Sequence, residues 1–284
     1  MMVRLSSDYS GSITASSLSG LTELSLCLRR HRDGLVLVGG WVPFFLLKEH
    51  QRKNCGHIGS IDIDFVVDPA IIDEEEYATI VEILKDRGWE QKSNSRFSYV
   101  KTIESPVDES PQIIQVDFLT LESSDTDVGH RHRSIQRDLL ARTMKGAPLA
   151  LTHKTELRFT GQLPGNGESD TEIQMADIVG CIGMKGLALG ERYKEKDAYD
   201  LFLLIENYEN GPRDVATAVK PFLGDALLHE GIDQIQKRFR NEKAEGPSWV
   251  ANFLTEKRDD EHQRYRIRAF HIVNDFIESI NDEL

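Results

Sequence analysis

The sequence predicts an α+β fold, a small mixed β-sheet with helices followed by a helical C-terminal domain. Three observations lead there. The chain has 284 residues, which at about 150 residues per domain makes room for two. Its first half mixes apolar runs of strand length with stretches of helical spacing. Past the turn-forming run Leu163-Pro164-Gly165-Asn166-Gly167, the apolar spacing is almost all helical. Strands with helices first and helices alone afterwards argue for a division near residue 170. The expected parts are a loose tail over 1–12, a mixed domain over 13–170 and a helical domain over 171–284.

A helix is expected over 18–31. Leu35-Val36-Leu37-Val38 is a short apolar strand that runs into Gly39-Gly40. Residues 41–50 follow as a helix, where Pro43 is tolerated because it lies in the first turn. The polar stretch 51–60 loops back, and 61–67 is a second strand. Over 73–87, Tyr77, Ile80, Val81 and Leu84 recur at the i, i+3, i+4, i+7 spacing of a helix face. Strands over 97–103 and 112–119 come next, joined by the turn-rich 104–108. In the second half, Leu228, Ile232, Ile235 and Phe239 fit one helix face. Ile267, Phe270, Val273, Ile277 and Ile280 fit another.

Composition narrows the function. The 34 basic and 47 acidic residues leave a net charge of −13. That excludes a protein that coats nucleic acid through bulk charge, but not a local basic groove. Hydrophobic residues at 39% and charged residues at 29% describe a globular chain rather than a disordered one. The longest apolar run, 35–47, is broken by Gly39, Gly40 and Pro43 and falls short of the roughly 20 residues of a spanning helix. No membrane partner is expected. The serine-rich N-terminus lacks the apolar segment of a signal peptide. Cys27, Cys55 and Cys181 are too few and too scattered for a disulfide framework, so a reducing cytoplasm is the expected location.

The most informative stretch is Ser60-Ile61-Asp62-Ile63-Asp64-Phe65. Strand side chains alternate faces, so Asp62 and Asp64 point one way while Ile61, Ile63 and Phe65 point into a core. The two carboxylates stand about 7 Å apart along the strand, with no lysine or arginine among them. A divalent cation resolves their repulsion, and hard oxygen ligands favour Mg²⁺ or Mn²⁺. In Ile114-Gln115-Val116-Asp117-Phe118 the apolar residues share a face and leave Asp117 on the other, with Gln115. If this strand pairs near the first, three carboxylates converge, enough for a two-metal site. The bland alternative is a strand edge with solvated acids. Gly39-Gly40 lets the backbone approach an anion at a helix N-terminus, a seat for phosphate, although two glycines also make an ordinary tight turn.

Residues 176–189 are apolar with one charge in their middle, Lys185. Such a lysine either snorkels from a helix or aims at a phosphate. Asp197 and Asp200, three apart, share a helix face, and Lys196 and Asp200, four apart, can form an ordinary surface pair.

Apolar-Gly39-Gly40, then Ser60-x-Asp62-x-Asp64, then the later Asp117 resembles the pattern of the nucleotidyltransferase (polymerase-β-like) superfamily. Lys185-x6-Arg192-x3-Lys196-Asp197-x2-Asp200-Leu201 resembles the C-terminal motif of the AbiEii-type nucleotidyltransferases, which include toxins of type IV toxin–antitoxin systems. The resemblance covers about residues 35–205. It implies a minimal sheet carrying the acids and a helical domain behind it. It implies NTP as donor substrate and Mg²⁺ (or Mn²⁺) as cofactor. It further implies RNA, with tRNA foremost, as acceptor, and a cognate antitoxin protein as a partner. Under it, Asp62, Asp64 and Asp117 hold metal. Gly39, Gly40, Ser60 and Lys185 face the nucleotide. Lys185 and Asp197 count with the catalytic set, and Arg192, Lys196 and Asp200 support them. Two departures stand out: 51–57 reads as an insertion, and Ile58 stands where the family often has a basic residue.

Cys55-x-His57 and His130-x-His132 lack a complete zinc pattern and read as solvated loops. Arg131, Arg133, Arg137, Arg142 and Lys145 against Asp138 make a local basic cluster, and Lys237, Arg238 and Arg240 a second. Either is a solvated face or a contact to polynucleotide phosphates. Two other functions compete. One is an antibiotic nucleotidyltransferase acting on an aminoglycoside or lincosamide hydroxyl. The other is a non-catalytic nucleotide-binding protein.

Overall fold

The structure is a computed structural model that describes residues 5–50, 56–72, 79–122, 132–136, 138–165 and 167–282. In chain order the elements are α1 (Gly11–Cys27), a 3₁₀ turn (Arg29–Gly34), β1 (Leu35–Val38), α2 (Trp41–His50), β2 (Asp62–Val67), α3 (Ile80–Asp86), β3 (Glu90–Gln91), β4 (Ser98–Glu104), β5 (Pro111–Thr120), β6 (His132–Ser134), β7 (Leu140–Thr143), α4 (Ala147–Thr152), β8 (Lys154–Gln162) and β9 (Glu168–Ala176). Then come α5 (Ile178–Glu191), α6 (Glu195–Asn207), α7 (Pro212–Val219), α8 (Ala226–Arg238), α9 (Glu245–Leu254) and α10 (Asp260–Asn281). The fold is mixed α and β. No helix among the described residues is long and apolar enough to cross a membrane.

The chain divides into two compact units, each assembled from separate segments. A sheet unit comprises Ser10–Trp41 and Ser60–Ala176, and a helical unit comprises Met1–Tyr9, Val42–Gly59 and Asp177–Leu284. In the sheet unit the strand order is β3-β4-β5-β2-β1-β9-β8, with β7 pairing β5 and β6. The sheet is mixed: β2 pairs β5 and β1 pairs β9 in parallel, while β1–β2, β4–β5 and β8–β9 are antiparallel. Ile63, Phe65, Ile114, Val116 and Phe118 are buried on one face, with the Phe65 and Phe118 rings stacked 6.3 Å apart. Helix α1 lies on that face, where a Cβ on Gly20 would stand 3.1 Å from Ile103 and 3.4 Å from Ile114.

Several expectations need correction. The first helix runs Gly11–Cys27 rather than 18–31. Ser10 caps it by accepting from the Ile13 N–H, and a tight 3₁₀ turn takes over before β1. Within the segment expected as a loose tail, Ser6–Asp8 form a 3₁₀ turn and the Tyr9 ring packs edge-on against Phe253 at 5.7 Å. Helices do not begin at 171. Lys154–Gln162 and Glu168–Ala176 pair as the β8–β9 hairpin, and helix α5 starts only at Ile178. Of the helix expected over 73–87, Ile80–Asp86 is observed, and Tyr77 lies outside the described residues.

In the helical unit Asp177 caps α5 by accepting from the Val179 and Gly180 N–H groups at 2.8 and 2.9 Å. Helices α5 and α8 touch backbone to backbone. A Cβ on Gly186 would stand 2.3 Å from the Gly231 carbonyl oxygen, and one on Gly231 would stand 2.6 Å from that of Gly183. Leu228, Ile232, Ile235 and Phe239 are buried along α8 as the spacing predicts. On α10 the buried face is Ala269, Val273, Phe276 and Ile277, so Ile267, Phe270 and Ile280 sit at its half-buried edge.

Candidate active site

Strand β2 sits at the centre of the sheet and carries Asp62 and Asp64 on one face. The parallel pairing with β5 places Gln115 opposite Asp62 and Asp117 opposite Asp64. Paired strands lie about 4.8 Å apart, so Asp64 and Asp117 are cross-strand neighbours on the face away from α1. All three acids are half-buried. On the other side of Asp64, Val38 pairs with it and the next residue is Gly39. Gly39 has φ +78°, and an added Cβ would stand 2.3 Å from Asp64 Oδ2. The first glycine of the pair is therefore required twice, by its backbone conformation and by the carboxylate against it. Gly40 and the buried Ser60 flank the same strands in sequence.

Asp117 is held by neighbours that alternation alone does not reveal. Gln115 Nε2 donates to Asp117 Oδ1 at 2.8 Å, and Lys92 Nζ donates to Gln115 Oε1 at 2.5 Å, which fixes the amide's orientation. Ser98 pairs with Asp117 across β4–β5 and hydrogen-bonds it. Burial nevertheless raises the Asp117 carboxyl above its ordinary value. The Ser98 and Gln115 hydrogen bonds oppose the rise, and the charge of Asp62 adds to it.

This donor set suits a hard cation. Among the described residues no three His, Cys, Asp or Glu side chains gather closely enough to enclose a metal ion. Mg²⁺ does not ask for such an enclosure, since one or two carboxylates hold it together with substrate phosphates and water. Paired, half-buried acids on neighbouring strands fit that habit.

Lys185, Asp197 and their neighbours lie in the other unit. Lys185 Nζ donates to Asp197 Oδ1 at 2.9 Å and to Asp200 Oδ2 at 2.7 Å. Lys196 Nζ donates to Asp200 Oδ1 at 2.7 Å, and Arg192 Nε to Asp197 Oδ2 at 2.9 Å. Lys185 is 7% exposed, Lys196 5%, Asp197 2% and Asp200 0%. Lys185 thus does not snorkel, and its ammonium is enclosed between two carboxylates. Nor is Lys196–Asp200 a surface pair. Burial alone would raise both carboxyls, but Lys185, with Arg192 at Asp197 and Lys196 at Asp200, holds them well below the ordinary range. Burial lowers Lys196, and Asp200 offsets this only in part.

His57 joins this network, which corrects its reading as a solvated loop residue. Its side chain is 3% exposed, and Nε2 lies 3.2 Å from Asp200 Oδ1. The Gly59 N–H donates to Nδ1 at 3.0 Å, so the neutral ring carries its proton on Nε2 and donates it to Asp200. Burial lowers the His57 pKa, with the Asp200 hydrogen bond opposing. Cys55, His130, Arg131 and Arg137 lie outside the described residues. Of the first basic cluster, Arg133 lies on β6, and Arg142 on β7 sets its guanidinium over the Phe97 ring at 5.2 Å. Of the second, Arg238 Nε donates to the Leu189 carbonyl and stacks on Trp249, and Arg240 pairs with Glu245.

No family model matches the chain, and no curated protein matches it. Among solved structures, an antigenic nucleotidyltransferase-like protein from Paracoccidioides brasiliensis is similar, with a TM-score of 0.41 and 13% identity over 76% of this chain and 94% of that one.

Proposed function

We propose that the chain is a nucleotidyltransferase that moves a nucleoside monophosphate from an NTP to an acceptor hydroxyl. The observation that carries the reading is the Asp62–Asp64–Asp117 face with the Gly39 backbone against Asp64. Asp62, Asp64 and Asp117 would hold the divalent cations, Mg²⁺ or Mn²⁺. When bound, such ions neutralise charge on the phosphates and on the leaving pyrophosphate. Gly39, Gly40 and Ser60 would lie along the triphosphate. Asp117, whose carboxyl burial raises above its ordinary value, suits the role of base. It would take the proton of the acceptor hydroxyl as that oxygen attacks the α-phosphorus. The bond from the α-phosphorus to the bridging oxygen then breaks, and pyrophosphate leaves with the bond's electron pair. Lys185 and Asp197 would act as the buried ionic frame of the helical unit, since their charges are taken up by each other and by Asp200.

The sequence resemblance to AbiEii-type enzymes favours RNA as acceptor, a toxin role and an antitoxin protein as partner. The test is incubation with α-labelled NTPs, Mg²⁺ and total RNA, beside a panel of aminoglycosides and lincosamides. Label on RNA is expected, and none with Asp62→Asn or Asp64→Asn. Label only on a small molecule would replace the RNA reading with the antibiotic one. Nucleotide binding without pyrophosphate release from any NTP would make the protein a non-catalytic binder.

A further inference from the structure

The sheet unit carries a cluster of arginines that the proposed chemistry does not use. Leu26, Cys27, Arg29, Arg30, Arg32 and Ile83 line an open cavity of about 610 Å³, and no carboxylate is among them. A second cavity of about 520 Å³ shares Leu26 and Arg29 with the first and adds Arg158, Thr171 and Glu172, so the two form one groove. The arginines come from Arg29-Arg30-His31-Arg32 in the 3₁₀ turn. At three residues per turn, Arg29 and Arg32 fall on one side, while His31 turns inward and is buried.

The balance of charge favours an anion. Arg32 and Arg158 share Glu172, which is thereby neutralised. Arg32 also meets Asp33 at 3.6 Å and Arg158 meets Glu156 at 2.7 Å. Asp170, also on the groove, accepts from Thr160 Oγ1 at 2.6 Å. Arg29 and Arg30 are exposed and have no carboxylate partner among the described residues. On a chain of net charge −13, two neighbouring exposed guanidiniums with no carboxylate partner among the described residues are not the surface average.

We infer that this groove binds the phosphodiester backbone of a single-stranded polynucleotide, the acceptor in the transfer reading on which this inference rests. A guanidinium presents two parallel N–H groups to phosphate oxygens. Two joined open cavities suit a chain of phosphates better than one small anion. The 3₁₀ turn feeds the first residue of β1, and Gly39 closes its far end. Groove and Asp64 therefore stand at opposite ends of β1, on the order of 15 Å apart along the strand.

The experiment is fluorescence anisotropy of the full chain with labelled 20-nucleotide single-stranded RNA and DNA, without NTP or Mg²⁺, over a salt series. Wild type should bind and weaken with salt. The double variant Arg29→Ala, Arg30→Ala should bind at least about tenfold more weakly, with a salt slope shallower by about 1.4, two contacts at about 0.7 each. Both residues are exposed, so its melting temperature should match wild type. Asp62→Asn should bind like wild type. If the double variant binds as wild type does, if neither oligonucleotide binds, or if only inorganic pyrophosphate competes for the groove, the inference falls. Arginine-dependent binding without any NTP-dependent labelling would keep the groove and remove the transfer reading.

Discussion

Gly39 and Asp64 meet at a separation that only glycine permits, because a Cβ at position 39 would stand 2.3 Å from Asp64 Oδ2. Gly39→Ala should therefore cost about 1–3 kcal/mol of stability and abolish transfer by displacing the carboxylate. Gly88→Ala is the control. Its φ is +76°, yet nothing lies within 4 Å of its added Cβ, so it should cost only about 1 kcal/mol and leave transfer intact. Urea unfolding and a labelling assay on both variants decide the point. Equal effects would remove the special role of the Gly39–Asp64 contact.

Asp117 makes a prediction about pH. Because burial raises its carboxyl in the folded state, the folded protein binds the proton more tightly than the unfolded chain does. Its contribution to stability falls as pH rises from about 3.8, the ordinary value, through the folded value. Asp117→Asn should hold or raise the melting temperature at pH 7 and lose that advantage below about pH 4. A variant that melts lower at pH 7 than wild type would contradict this.

Lys185 should behave as a structural ion. Removing one partner of a buried ion pair costs about 3–5 kcal/mol, so Lys185→Met should destabilise by that amount. Lys185→Met combined with Asp197→Leu should cost less than the sum of the single changes, with a coupling of about 1 kcal/mol or more. Nucleotide KM, measured below the melting transition, should not move. A raised KM with unchanged unfolding would return Lys185 to the phosphates.

The same network predicts two separate losses on acidification. His57 is lowered from its ordinary 6.5, so the unfolded chain takes its proton first and stability drops as pH falls below about 6.5. Asp197 and Asp200 are depressed, so their contribution is complete above 3.8 and is lost as pH falls through their folded values. His57→Gln should remove the first decline and spare the second. Chemical unfolding at half-unit steps from pH 8 to 3 separates them, and a single transition unaffected by the variant would count against the assignment.

What the sequence disclosed follows a physical division. Continuous or cleanly alternating apolar runs declared β1, β2 and α2, and alternation alone put Asp62 with Asp64 and Asp117 with Gln115. The β8–β9 hairpin escaped because its inward positions include Gly161 and Thr171, which break the apolar alternation. Lys92 and Ser98 could not be read as supports of Asp117, since their roles depend on the pairing and geometry of β3, β4 and β5. His57 depends on tertiary packing in the same way. Nothing local to residue 57 announces a carboxylate 143 positions away.

The segmented build of the two units also governs how the molecule can be dissected. The chain passes between units at 9/10, 41/42, 59/60 and 176/177, so no single cut releases either one whole. A fragment ending at residue 170 would delete most of β9, the strand joining β1 to β8. It would leave β1 with an unpaired edge beside the catalytic candidates, a template for aggregation rather than a minimal enzyme. A useful fragment has to run through Ala176, and in the sheet unit a short designed linker has to replace 42–59.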